Sequence, residues 1–365
     1  MTTEFLKTLK PFIQLEKIQT DNNVFKLHYK ATVILLLGFS FLLTGKQYFG
    51  DPMDCDVDER KEVIDTYCWI YGTFTLKSSL KDPHIPGLGH AAEYDSTTIN
   101  RHNYYQWVGI VFFIQGIIFY IPRYLWKTWE SGRLKFLVNG LESSEESSEE
   151  SPPPAPTFFQ NWKDGTKSRL VTYLLQGQNN MHNIYTMRYS CCEVLNFINV
   201  IGQICFMDWF VTGKFSMYGI AYTTYRLYKE VNPMDEVFPK ITKCVYYRIG
   251  MSGTQEVRDA LCILPLNILN QNFFLILWYW FYILLLISLL AVVVYLLRAQ
   301  TRSLDKKKSR IVIENITYGD FFILYKIGKN VNPILYKELV EALYEQIIGK
   351  EPFYKNIPQS TLIDA

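Results

Sequence analysis

The 365-residue sequence has no excess of either charge: 37 lysines and arginines face 35 aspartates and glutamates, a formal net charge of +2. That balance offers no basic field to a polyanion, so no nucleic-acid partner is expected. Histidine is scarce, five in all and scattered, and no HExxH pair, P-loop or nucleophile elbow occurs. Neither an enzyme nor a bound cofactor or metal is therefore expected. Residues 1–23 hold no apolar core of the kind a signal peptide carries, only dispersed Lys7, Lys10 and Lys17. Cysteine is missing from residues 127–188 and 299–365, which bears on topology below.

Aromatic residues, by contrast, make up 16% of the chain, and apolar residues are bunched into runs. Phe273–Leu297 (FFLILWYWFYILLLISLLAVVVYLL) exceeds the roughly 20 residues a helix needs to cross a bilayer, and Asn103–Pro122 matches it. Two further runs are weaker. ATVILLLGFSFLLTG, between Lys30 and Lys46, is extended backwards by Val24, Phe25, Leu27 and Tyr29. VLNFINVIGQICFM, between Glu193 and Asp208, carries Asn196, Asn199 and Gln203, which with Glu193 recur on one helical face. Lipid does not tolerate such a stripe, so the first and third spans are expected inside a bundle and the second and fourth against lipid. Rings stand at both ends of the second span, Tyr104, Tyr105 and Trp107 at one and Tyr120, Tyr124 and Trp126 at the other. They suggest an interfacial aromatic belt, ordinary core packing being the alternative.

Arg298, Arg302, Lys306, Lys307, Lys308 and Arg310 follow the last span, and Arg123, Lys127, Arg133 and Lys135 follow the second. Both collars belong on the cytoplasmic side, which puts the two termini there as well. The expected order is an N-terminal segment 1–23, spans at 24–46, 104–126, 189–212 and 271–298, outer loops 47–103 and 213–270, a cytoplasmic loop 127–188 and a tail 299–365. Cys55 and Cys68 then fall in one outer loop, Cys244 and Cys262 in the other. On the oxidising side they constitute a disulfide framework, since neither pair has the C-x-x-C spacing of a zinc site. Cys191, Cys192 and Cys205, in or beside the third span, are expected to be packing residues. The fold class is an all-α membrane protein: a four-helix transmembrane bundle subunit with disulfide-linked extracellular loops and a helical cytoplasmic domain.

Tyr104-Tyr105-Gln106-Trp107-Val108 (YYQWV) opens the second span, and with it the chain resembles the innexins, gap-junction proteins of invertebrates. DNNVFKLHYKATVI (Asp21–Ile34), DTYCWIYGTFT (Asp65–Thr75), CEVLNFINVIGQICFMDWF (Cys192–Phe210), ALCILPLNILN (Ala260–Asn270) and GDFFILYKIGKNVNPILYKELV (Gly319–Val340) carry the resemblance along the chain. Two cysteines per outer loop separate it from connexins, which carry three. The chain departs from the family pattern in an acidic, proline-rich insert, SSEESSEESPPPAP (Ser143–Pro156), in Met251 where a proline commonly precedes Ser-Gly, and in Pro11. The insert has nothing apolar to bury and is expected to be disordered.

The resemblance implies a plasma-membrane gap-junction channel subunit. Eight copies form a ring, or hemichannel, in the lipid bilayer, and two rings dock between cells to pass ions and small metabolites. Mixing with other innexins, and a host or viral origin, stay open. So do two alternatives: an undocked hemichannel releasing molecules such as ATP, and a tetraspan adhesion or scaffold protein. The first span and the N-terminal segment line the pore, with Thr2, Thr3 and Lys7 at its narrowest part and Pro11 ending a short helix there. Asp51 and Asp54, crowded with Asp56, Asp58 and Glu59, form either a negative vestibule or a merely solvated loop. Pro122 is expected to kink the second span. The antiparallel course of the outer loops favours Cys55 with Cys262 and Cys68 with Cys244, pairing within a loop remaining the alternative.

Overall fold

The computed structural model describes residues 18–57, 60–79, 87–88, 98–142, 171, 173–174, 181–228, 233–301, 312 and 316–349. In chain order the elements are α1 (Asn23–Phe49), β1 (Asp54–Asp56), α2 (Lys61–Tyr71), β2 (Thr73–Leu76), β3 (Ile99–His102), α3 (Val108–Glu130), α4 (Arg133–Glu142) and α5 (Met181–Phe210). Then come α6 (Tyr218–Tyr228), α7 (Pro233–Val237), β4 (Ile241–Ile249), β5 (Gln255–Ile263), α8 (Pro265–Thr301), α9 (Tyr318–Asn330) and α10 (Pro333–Gly349). Among the described residues four helices, α1, α3, α5 and α8, are long and apolar enough to cross a membrane. The chain is a four-span bundle subunit with disulfide-linked loops, as its hydropathy and cysteines suggest. A five-stranded sheet, order β1-β5-β4-β2-β3 and antiparallel throughout, is added within the segments read only as loops.

Helix ends follow local chemistry. Asn22 caps α1, its side-chain oxygen accepting from the Phe25 N–H at 2.6 Å. Thr317 and Asp320 form a reciprocal capping box at α9. Pro265 and Pro333 start α8 and α10 at a position where a missing N–H is no loss.

The described residues divide into two compact units. The first comprises those within Lys26–Ile121 and Asn196–Leu289. Its core joins Leu36 and Leu43 of α1, Phe112 and Phe119 of α3, Val200 and Met207 of α5, and Phe274 and Phe281 of α8. Gly109 lets α3 approach α1: a Cβ there would lie 2.9 Å from Thr44 Oγ1, and Ser40 Oγ donates to the Gly109 carbonyl at 2.8 Å. In α1 the stretch Leu27–Thr32 winds as a π-helix. Thr32 Oγ1 donates to the Leu27 carbonyl, five residues back, and accepts from Trp280 Nε1 of α8 at 2.8 Å. His28 Nε2 meets Ser288 Oγ of α8 at 2.7 Å. The polar stripe of α5 turns inward: Asn196 and Gln203 are buried, and Gln203 Nε2 donates to Asn199 Oδ1. Ile110, Ile114, Ile117, Ile121 and Tyr124 make an exposed stripe on α3, and Ile276, Tyr279, Ile283, Leu286 and Leu290 make another on α8. Both have the spacing of a lipid-facing side. α5 carries such a stripe too, in Val194, Ile198, Ile201 and Trp209, so the expected split between inner and outer spans is not seen within the subunit.

The second unit comprises the described residues within Ile13–Phe25, Pro122–Leu195 and Leu290–Ala365. Trp126, Tyr189 and Phe322 form an aromatic centre, with centroids 4.9 Å apart for Trp126–Tyr189 and 5.1 Å for Tyr189–Phe322. Beside it Arg123 Nη1 donates to Asp21 Oδ1 at 2.7 Å, with 5% and 1% of the two side chains exposed. His182 pairs with Asp320 at the cap of α9. Arg123→Met should strand the Asp21 carboxylate in a site water does not reach, costing about 3–5 kcal/mol. Adding Asp21→Asn should restore much of that loss. Thermal unfolding of the detergent-solubilised single and double variants measures both.

Candidate functional site

The sheet end of the first unit gathers the cysteines. Cys55 on β1 lies directly opposite Cys262 on β5, and the two are bonded across the strands. Cys68, in the last turn of α2, is bonded to Cys244 on β4. All four are buried, together with Met53, Tyr105, Ala260 and Leu264, in a small core of their own. The sulfurs of Cys55, Cys68 and Cys262 lie within 4.8 Å of one another, but as disulfides they offer a metal no thiolate. Cys191, Cys192 and Cys205 are free thiols on α5.

The YYQWV residues tie the start of α3 to both stapled segments. Tyr104 donates from its hydroxyl to the Val237 carbonyl at 2.9 Å, on the side of β4. Tyr105 is 1% exposed, its ring centroid 4.7 Å from that of Trp69 on α2. Gln106 Nε2 donates to the Trp69 carbonyl, and Val108 enters the helix core. The belt suggested by the sequence is therefore corrected. Trp107 and Tyr124 are exposed, whereas Tyr105 and Trp126 are buried in protein. Tyr104, Tyr105 and Gln106 each donate to a main-chain carbonyl of a neighbouring segment, which makes a knot, while exposed Trp107 alone of the five keeps the place of an anchor.

Of the acidic residues, Asp51, Asp54 and Asp56 are exposed, and Lys61 Nζ counters Asp54 at 2.5 Å. Asp65 accepts from the Cys55 N–H at 2.8 Å, and burial raises its pKa. Asp58 and Glu59 lie outside the described residues, as do Thr2, Thr3, Lys7 and Pro11 and the insert Ser143–Pro156. Pro122 sits within the unbroken helix α3, where the boundary between the two compact units falls. The β4–β5 hairpin was missed from sequence, although β4 is rich in β-branched and aromatic residues and Gly250 and Gly253 flank a turn. Gly253 adopts φ +80 and the turn closes with Met251 in place of proline, Gly250 N–H donating to Thr254 O. On the hairpin Tyr247, Ile249, Met251 and Val257 are exposed.

The innexin family model matches residues 21–347, nearly the whole chain. The chain belongs to the innexin family. It is 42% identical to Innexin inx2 of Drosophila melanogaster, covering 94% of this chain and 96% of that one. It is 43% identical to Innexin inx2 of Schistocerca americana, covering 94% and 98%. Innexin shaking-B of Drosophila melanogaster is 35% identical over 94% of this chain and 95% of its own length. As an innexin with four apolar spans, the chain is a multi-pass plasma-membrane subunit of oligomeric gap-junction channels at cell junctions.

One titratable group marks how dry this innexin's sheet is. His102 on β3 is buried with Nε2 2.9 Å from Thr75 Oγ1, and burial, helped by Lys214, lowers its pKa from 6.5 to about 4. The folded sheet holds the neutral ring. Because the folded pKa lies below the unfolded one, this contribution is complete above 6.5 and is lost as the pH falls toward about 4. Acidification through that window should cost on the order of 3 kcal/mol, and His102→Gln should remove most of the dependence. Amide hydrogen exchange in β2 and β3 as a function of pH reads the effect.

Proposed function

We propose that eight copies form a ring around a pore, and that two rings in apposed membranes meet through their stapled sheets, passing ions and small metabolites between cells. The observation that carries this reading is the β4–β5 hairpin, a covalently braced projection bearing exposed Tyr247, Ile249, Met251 and Val257. A braced edge meets its counterpart with little ordering cost, while loose loops of the same composition would forfeit binding energy to entropy. One bundle of four spans does not enclose a wide pore, so copies must close on themselves with cyclic symmetry. Both termini, the 127–188 loop and the 299–365 tail lie in the cytoplasm in this arrangement, and the sheet lies outside, where disulfides persist.

The pore is lined by α1 and the N-terminal residues, with Thr2, Thr3 and Lys7 at the constriction and Asp51 in an acidic vestibule beyond it. Asp54 contributes less there, since Lys61 faces it. Pro122 bends α3 where neighbouring groups take up the freed carbonyl.

Imaging of purified particles should find rings of eight, single or stacked in coaxial pairs, and paired expressing cells should exchange dye. Dye uptake by single cells without exchange between pairs would favour the undocked hemichannel, and neither would favour an adhesion role. Deletion of residues 2–10 should leave rings intact and change conductance or charge selectivity. Unaltered single-channel behaviour at normal surface expression would rule the pore-lining role out.

A further inference from the structure

Four consecutive residues ahead of α1 are each held by a different group. Gln19 is held by Asn330, whose Oδ1 accepts from the Gln19 N–H at 2.6 Å and whose Nδ2 donates to its carbonyl at 3.0 Å. The Thr20 carbonyl accepts from Lys326 Nζ at 2.8 Å. Asp21 takes Arg123, and Asn22 is held through its N–H by the Tyr189 hydroxyl at 3.2 Å and through its side chain by Glu193. Arg123 belongs to α3 and Tyr189 and Glu193 to α5, but Lys326 and Asn330 belong to α9, more than 300 residues along the chain from the segment they grip. The bonds from α9 all go to the main chain of Gln19 and Thr20, so they fix where the backbone runs whatever its side chains are.

Lys326 is costly in this place. It is 3% exposed, with its ammonium 4.2 Å from the Tyr189 ring centroid and 5.2 Å from that of Phe322. An apolar side chain would bury there without the desolvation penalty of a charge, a penalty that attraction to the Glu193 carboxylate of α5 offsets in part. What the charge supplies is direction. A donor on a long stem, seated on two aromatic faces, selects one position for the Thr20 carbonyl, where a greasy contact would accept several.

We propose that α9 is a positioning strap for the N-terminal segment: Lys326 and Asn330 set the path of residues 19–20, and so the seat of the pore-lining residues that precede them. The cytoplasmic tail thereby sets the balance of conductance states without touching the permeant ion. This rests on the pore-lining reading of residues 2–10 given above. Lys326 and Asn330 are positioning residues. They share no contact with the permeation path in this proposal, and act only through the backbone they hold.

The test is single-channel recording from full-length channels at matched surface expression. Lys326→Met keeps the stem and the aromatic contact and removes the donor. Asn330→Ala removes the two bonds to Gln19. Each should shift the ratio of conductance states about tenfold, the equivalent of about 1.4 kcal/mol, through one charge-assisted bond lost in Lys326→Met and two neutral bonds lost in Asn330→Ala. Lys329→Met, which removes the neighbouring exposed charge seated on Tyr325, should not. In a background lacking residues 2–10 the effect of Lys326→Met should disappear, because the strap then has nothing to seat. If the deletion alters conductance while Lys326→Met and Asn330→Ala leave the state ratio at the wild-type value, the strap is refuted and the pore reading stands. If the deletion changes nothing, the pore reading fails and the strap with it. Should Lys326→Met fail to reach the surface, Asn330→Ala alone decides the matter by the same criterion. An effect of equal size from Lys329→Met would mark a loss of tail charge rather than of the strap.

Discussion

Two sulfur–sulfur bonds, joining residues 207 and 176 positions apart, are the constraint on which the sheet end of this innexin depends. By chain entropy alone, closing loops of that length is worth roughly 5 kcal/mol each. In a membrane protein the gain is smaller, because four spans already confine both loops to one face of the bilayer. What remains is register. Cys55 faces Cys262 across β1 and β5, so the bond pins a strand of only three residues that would otherwise be free to slip. A slip of one residue would turn every side chain of the strand to the opposite face. The second bond ties α2 to β4, and the small core around both then has a single arrangement to pack.

The same economy of polar groups recurs elsewhere. Tyr104 and Gln106 use their polar atoms on the carbonyls of Val237 and Trp69, and Lys326 and Asn330 use theirs on the main chain of Gln19 and Thr20. In each case a side chain of one segment holds the backbone of another far from it in sequence. Such bonds add modest net stability but penalise any alternative path, since a buried donor left unmade is expensive. Assembly into a channel asks for this property: copies related by symmetry fit only if each presents the same surface.

Hydropathy made the spans readable, because a run of about 20 apolar residues survives every local irregularity. The cysteines were readable as a framework because each outer loop holds two and the 127–188 loop and the tail hold none. The sheet was not. β5 (Gln255–Ile263) is exposed at most positions and carries three charged residues, Glu256, Arg258 and Asp259, so it shows no apolar alternation; its inward face rests on Ala260 and Cys262. Strands that pack on disulfides leave little hydrophobic signature. The aromatic rings misled for a related reason. Spacing places Tyr105 and Trp126 at the ends of a span but does not say which face they occupy, and both turn into protein. The polar clamp ahead of α1 was invisible from sequence, being made of residues between 102 and 311 positions apart.

The central claim is that the stapled sheet is the surface through which cells are joined. Paired cells expressing Cys55→Ala together with Cys262→Ala provide its most direct measurement, with dye transfer scored at surface expression matched to wild type. The account predicts that transfer between cells is lost while the protein still reaches the membrane. Transfer at the wild-type rate, with both cysteines gone, would contradict it.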